Sequence, residues 1–215
     1  MIKAILFDFD GTLVDTNPLI IRSFTETFKV LFPEREFTQQ ELQDCIGPTL
    51  EETGRKYYPT NPNHLVEIYR RICWQYHDEM IEVYPGVEEM LKALKMMDLK
   101  LVIVTSKKRD MLLRGLEVTK LQNYFDWIVA VDDVTHPKPH QEPIERVLNY
   151  YGFQPDACLM VGDNSHDINS AKAAGVKSIA VGWALKGVNY LKSFDPDYII
   201  EDGTKLLEIV KEEGV

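Results

Sequence analysis

Five short apolar runs constrain what this chain can fold into more than any other feature: residues 4–7, 101–104, 127–131, 158–161 and 178–181. Each lacks the alternation of a half-exposed strand, so each reads as a strand buried on both faces. Between them the apolar spacing turns helical. Met90, Leu91 and Leu94 form one face, and Met111, Leu112 and Leu116 another. Further helices are expected over 143–151, in the alanine-rich stretch up to Ala174, with Gly175 as its stop, and over 206–210. Residues 198–200 read as a short edge strand. Strands that alternate with helices in this way imply a parallel sheet covered on both faces.

The alternation is interrupted once. Residues 16–81 carry helical spacing and no convincing strand. Leu19, Ile20, Phe24, Phe28 and Leu31 share a face behind Pro18, and Leu65, Ile68, Tyr69, Ile72 and Tyr76 share another. Thr38 with Glu41 is a capping box between them. The expected organisation is an α/β core from 1–15 and 82–215, with 16–81 inserted as an α-helical cap.

Bulk properties narrow the partners. Lys and Arg total 24 against 34 Asp and Glu, a net charge of −10 without a basic run. Such a chain is a poor candidate for nucleic acid or anionic lipid. Cys45, Cys73 and Cys158 are scattered, with no pair at metal-ligand spacing, and read as reduced, mostly buried thiols. The first residues run straight into a strand with no signal-peptide pattern, and no apolar stretch is long enough for a membrane. A cytoplasmic chain, a monomer or weak homodimer, is expected.

The strand ends carry the polar residues. The first run leads into Asp8 and Asp10, which point the same way if the strand continues, and then into Gly11. Two like charges at the tip of a buried strand need compensation, and a hard divalent cation such as Mg²⁺ supplies it. An Asp-rich turn capping a helix explains one of the pair, but not both. The second run ends in Thr105 and Ser106, and Thr105 reads equally well as a helix N-cap. Lys138 sits between Pro137 and Pro139, whose rings restrict its backbone, whereas most lysines are solvated loop residues. The fourth run ends in Gly162 and Asp163, with Asp167 four residues on; an Asp N-cap explains one of these carboxylates.

The stretch Asp8-Phe9-Asp10-Gly11-Thr12-Leu13-Val14-Asp15 resembles the first motif of the haloacid dehalogenase superfamily in its phosphatase form. Thr105, Lys138 and the run Gly162-Asp163-Asn164-Ser165-His166-Asp167 match the three later motifs in order. The resemblance implies a Rossmann-like core with an inserted cap, and a small phosphorylated substrate. It implies Asp8 as nucleophile, Asp10 as general acid and base, and Lys138 as the cation that offsets phosphoryl charge. Thr105, Ser106 and Gly11 would bind substrate, and Asp8, the Asp10 backbone carbonyl and Asp163 would hold Mg²⁺. Asp167 would support the metal's water shell or Lys138, and Asp15 has no chemical role. His140-Gln141 departs from the family's further proline and leaves Lys138 unaffected.

Several stretches resemble a narrower branch, the inorganic pyrophosphatases of the family in Gram-positive bacteria: 15–17, 46–50, 105–110, 131–134, 161–164 and 183–187. Phosphoglycolate phosphatases share much of this pattern and are the alternative. A phosphosugar mutase and a non-catalytic phosphate-binding protein stand further off. Lys107, Lys108 and Arg109 form a cationic cluster after the second motif. It is either a solvated helix start or a second phosphate site, with Arg109 as the expected ligand.

Overall fold

The structure, a computed structural model, describes residues 1–214. Strand β1 (Ala4–Phe7) leads through a tight turn into β2 (Val14–Asp15). Four helices follow: α1 (Asn17–Leu31), α2 (Gln39–Gln43), α3 (Leu50–Tyr57) and α4 (Pro62–Tyr76). After β3 (Glu82–Val83) come α5 (Val87–Met96), β4 (Lys100–Val104), α6 (Arg109–Thr119) and β5 (Trp127–Val129). Then come α7 (Glu142–Tyr151), β6 (Cys158–Gly162), α8 (Ser165–Ala173) and β7 (Lys177–Val181). The described chain closes with α9 (Val188–Lys192), β8 (Tyr198–Ile200) and α10 (Gly203–Glu212).

The main sheet is parallel, in the order β5-β4-β1-β6-β7-β8, and β2 pairs with β3 in a separate ribbon. The chain winds outward from β1 to β5, then crosses back to β6 and winds outward to β8. Ligands of doubly wound sheets bind at the carboxyl ends of the strands where the winding reverses. Phe7 lies opposite Ile103 of β4 and Val161 of β6, so the three strands end nearly level. That register brings the residues after each strand to one place.

Every residue of β1 is fully buried. Ala4, Leu6, Val102, Val104 and Met160 pack with Ile144 and Val147 of α7 on one face. Ile5, Phe7, Leu101 and Ile103, of the opposite parity, are equally buried, so both faces are covered. Cys45, Cys73 and Cys158 are free and buried. Burial pushes the Cys158 thiol up to about 12, which keeps it un-ionised and inert. No described helix is long and apolar enough to cross a membrane.

The third run forms a shorter strand than the sequence suggests. It stops at Val129, because the Asp133 carboxylate accepts the Ala130 N–H at 2.7 Å and closes a turn over Val131–Asp133. The short strands β2 and β3 were invisible to apolar patterning.

The chain divides into two compact units, Met1–Asp15 with Val83–Val215, and Thr16–Glu82. The second has an aromatic core of its own, with Phe28 stacked on Phe37 at 4.1 Å and Phe24 against Tyr69 at 4.4 Å. Its short helices are held at their starts. Thr38 and Glu41 form the capping box on α2, and Thr49 and Glu52 form a second one on α3.

Candidate active site

Asp8 follows β1, and its N–H donates to Val161 O at 2.9 Å, which continues the ladder one residue beyond the strand. Gly11 then turns the chain at φ 76°. The turn is closed by Gly11 N–H on Val14 O at 2.9 Å and Leu13 N–H on Phe9 O at 3.1 Å. Only glycine fits here for two reasons. The φ is left-handed, and a Cβ would fall on the Asp163 carboxylate. The turn therefore lies against the acidic end of β6.

Lys138 is 2% exposed, and each of its ammonium protons has an acceptor. Nζ donates to Asp8 Oδ1 at 3.0 Å, Asp167 Oδ1 at 2.5 Å and Val104 O at 2.9 Å. A buried ammonium is tolerated only with such partners. Asp167 is fixed in turn, because its Oδ2 accepts the Asn164 N–H at 3.0 Å at the start of α8. Neither later carboxylate is the N-cap of α8, which is Asn164; Asp167, at the third helical position, accepts the N-cap N–H and also holds Lys138. Gly162 leaves the space, since a Cβ there would collide with the Asp167 side chain.

Asp8, Asp163 and Asp167 are all buried, and one carboxylate oxygen from each lies within 4.8 Å of the others. Burial raises the Asp8 carboxyl above its ordinary range; Lys138 opposes that, and Asp167 and Asp10 add to it. Burial also lifts Asp163 well above its ordinary value, with Asp167 and Asp8 repelling its charge. For Lys138, burial alone would lower the value, but Asp167 and Asp8 outweigh it and keep the ammonium protonated. Three crowded carboxylates against one lysine leave negative charge uncompensated. The donor set is all oxygen, which fits a hard divalent cation.

Thr105 is buried, and its hydroxyl accepts the Lys107 N–H at 3.1 Å. It does not cap α6, whose N-cap position is Lys108. Ser106 is its half-buried neighbour.

The cationic cluster divides. Lys107 Nζ reaches the Asp10 carboxylate at 2.8 and 3.1 Å and lies over the Phe9 ring at 5.7 Å. Arg109, expected beside a second phosphate, turns elsewhere. Its guanidinium bonds Ile128 O at 3.1 Å and the Asp133 carboxylate, and its N–H bonds Asp132 Oδ1 at 3.0 Å. The reason is local: β5 stops early, and the acidic turn behind it captures the guanidinium. Within the cluster, Lys107 and not Arg109 is thus the residue that faces Asp10. The sequence signal for the cluster, a run of cations two residues beyond Thr105, did not say which of its members turns inward. Trp183, from one of the resembling loops, donates to Thr12 O at 3.2 Å and lies 5.9 Å from the Tyr84 ring.

A family model described as haloacid dehalogenase-like hydrolase matches residues 5–181. The chain is 43% identical over 209 residues to Pyrophosphatase PpaX of Halalkalibacterium halodurans, covering 97% of each. Among solved structures, a haloacid dehalogenase-like family hydrolase from Streptococcus pneumoniae superposes with a TM-score of 0.85 at 26% identity, over 97% of this chain and 98% of that one. A predicted phosphoglycolate phosphatase from Haemophilus somnus superposes at 0.83 with 24% identity, over 97% of each, a likeness of fold alone.

Proposed function

The chain belongs to the haloacid dehalogenase-like hydrolases and is a phosphohydrolase, and from that premise we propose that it hydrolyses inorganic diphosphate to two phosphates through an aspartyl phosphate on Asp8. The observation that carries this is the buried meeting of Asp8 and Asp163, each just past a strand, with Lys138 from the loop before α7, in a chain so similar to a protein named a pyrophosphatase.

In this reading Asp8 Oδ2, the oxygen that Lys138 leaves free, attacks phosphorus. The new P–O bond forms as the bond to the leaving phosphate breaks. Lys138 draws off phosphoryl charge while Asp167 keeps it in place. Asp10 gives a proton to the leaving oxygen, then takes one from the water that hydrolyses the aspartyl phosphate. Thr105 and the backbone N–H of Ser106 bind phosphate oxygens, while Gly11, whose own N–H is held by Val14 O, leaves the turn open to them. Asp8, the Asp10 carbonyl and Asp163 would hold Mg²⁺, which when bound neutralises the charge that separates two anions. The unit Thr16–Glu82 is the inserted helical cap in this reading.

Lys107, already against Asp10, is the cation that meets the leaving phosphate. Diphosphate has no organic body to grip, so its selection rests on such charges. A phosphoglycolate phosphatase is the second reading, since a substrate carboxylate would use the same lysine. The net charge of −10 and the lack of a basic run count against nucleic acid or an anionic membrane as partner, and a small anionic substrate depends on the local cations Lys107 and Lys138 and on the metal.

The test is a comparison of kcat/KM for diphosphate, phosphoglycolate and an aryl phosphate with Mg²⁺. Diphosphate should lead, and Asp8→Asn should lose all three. A tenfold lead for phosphoglycolate, about 1.4 kcal/mol of transition-state preference, would transfer the assignment to the second reading.

A further inference from the structure

A second cluster of metal-ligand residues lies on the outer side of the loop that carries Lys138. On this loop His136 and His140 are exposed, and Lys138 between them is buried. Lys138 therefore points inward, and the two histidines share the outward face. Their ring centroids are 4.8 Å apart. Glu142, the first residue of α7, joins them, with Oε2 at 2.9 Å from His136 Nδ1. One ligand atom from each of the three residues lies within 4.8 Å of the others.

Part of this has a purely structural explanation. Glu142 accepts the N–H groups of Thr135 and His136, each at 2.8 Å, and so holds the loop against α7. That accounts for the glutamate. It leaves two exposed imidazoles brought together without a contact that needs both.

From this geometry we infer that His136, His140 and Glu142 form a binding site for a first-row transition cation of the Zn²⁺ class, separate from the carboxylate cluster. Two imidazoles and one carboxylate suit such a cation and not Mg²⁺, which takes oxygen ligands. Tetrahedral ligands about 2.0–2.1 Å from zinc lie about 3.3 Å from one another, so the cluster needs a contraction of at most about 1.5 Å. Exposed side chains supply that by small rotations. His140 Nδ1 accepts the Glu142 N–H at 3.1 Å, and ligation through that nitrogen would release a first-turn helix N–H to water. Three protein ligands leave a fourth position for solvent.

The site has a consequence for the loop. His136 and His140 flank Lys138, and the loop is anchored by the His140 N–H on Pro137 O at 3.0 Å and by Ser170 Oγ on His140 O at 2.7 Å. A cation bridging positions 136, 140 and 142 ties the outer ends of the segment whose centre holds Asp8. Occupancy stiffens the loop without touching the phosphate site.

The test uses the full chain without a histidine tag, stripped of metal. Calorimetric titration with Zn²⁺ and visible absorption with Co²⁺ are compared for four proteins: wild type, His136→Gln/His140→Gln, His140→Gln alone, and Asp163→Asn. The expected result is one Zn²⁺ site in wild type and Asp163→Asn, weakened at least tenfold in both histidine variants, with their Mg²⁺-supported phosphatase activity unchanged. Tetrahedral Co²⁺ absorption should appear in wild type and vanish in the double variant. Circular dichroism melting confirms that the variants fold. Zinc binding of equal affinity in the double variant, or a sole site lost with Asp163→Asn, would overturn the inference.

Discussion

Lys107 and Arg109 are two residues apart and chemically alike, yet they take different partners: Lys107 meets Asp10, and Arg109 meets Asp133. That difference makes a test of substrate choice at the level of single side chains. Lys107→Ala should lower kcat/KM for diphosphate by tenfold or more, about 1.4 kcal/mol, and lower that for an aryl phosphate less. Arg109→Ala should leave the ratio between the two substrates unchanged and cost only stability at the end of β5. If Arg109→Ala shifts the ratio and Lys107→Ala does not, the roles are exchanged. Residue identity alone could not separate the two, because both offer a cation after the second motif.

At the scale of elements, β4 and β5 are joined by more than their ladder. Asp126, just before β5, accepts the Leu101 N–H at 2.9 Å and Lys95 Nζ at 2.9 Å, with Lys100 Nζ at 3.4 Å. Burial would raise the carboxyl, but the Leu101 N–H and the two lysines outweigh it and lower its value. A depressed carboxyl stabilises the fold above its unfolded value, about 3.9, and loses that contribution as pH falls through the folded value. Asp126→Asn should therefore cost about 1 kcal/mol at neutral pH, and the gap between variant and wild type should shrink as pH falls from about 4 through the lower folded value. Urea unfolding at a series of pH values measures it; a gap that stays constant as the pH is lowered would show that geometry, not charge, is at work. The strands themselves were readable from sequence, because a fully buried parallel strand is a short unbroken apolar run. Their ends were not, where a side chain such as Asp133 stops the ladder.

At the scale of the whole molecule, the parallel sheet brings carboxylates from two distant segments into one buried cluster, which carries more negative charge than Lys138 can offset. A cation that binds there should stabilise the fold. Mg²⁺ at one hundred times its dissociation constant is worth about 2.7 kcal/mol, roughly 5–10 °C in Tm for a chain of this size. Asp163→Asn should lose most of that rise in a thermal melt with and without Mg²⁺, and an undiminished rise would place the cation elsewhere. The sequence by itself determined the alternation of strands and helices, the helical interruption, and which polar residues follow the first, second and fourth apolar runs. Those are local properties, written in apolar spacing and in neighbouring residues. Only the tertiary structure decided that Lys138 is shared by Asp8 and Asp167, that Lys107 reaches Asp10 across 97 positions, and that His136 and His140 flank Lys138 on the opposite face. Such pairings depend on strand order and register, which bring together residues whose chemistry carries no mark of its partner.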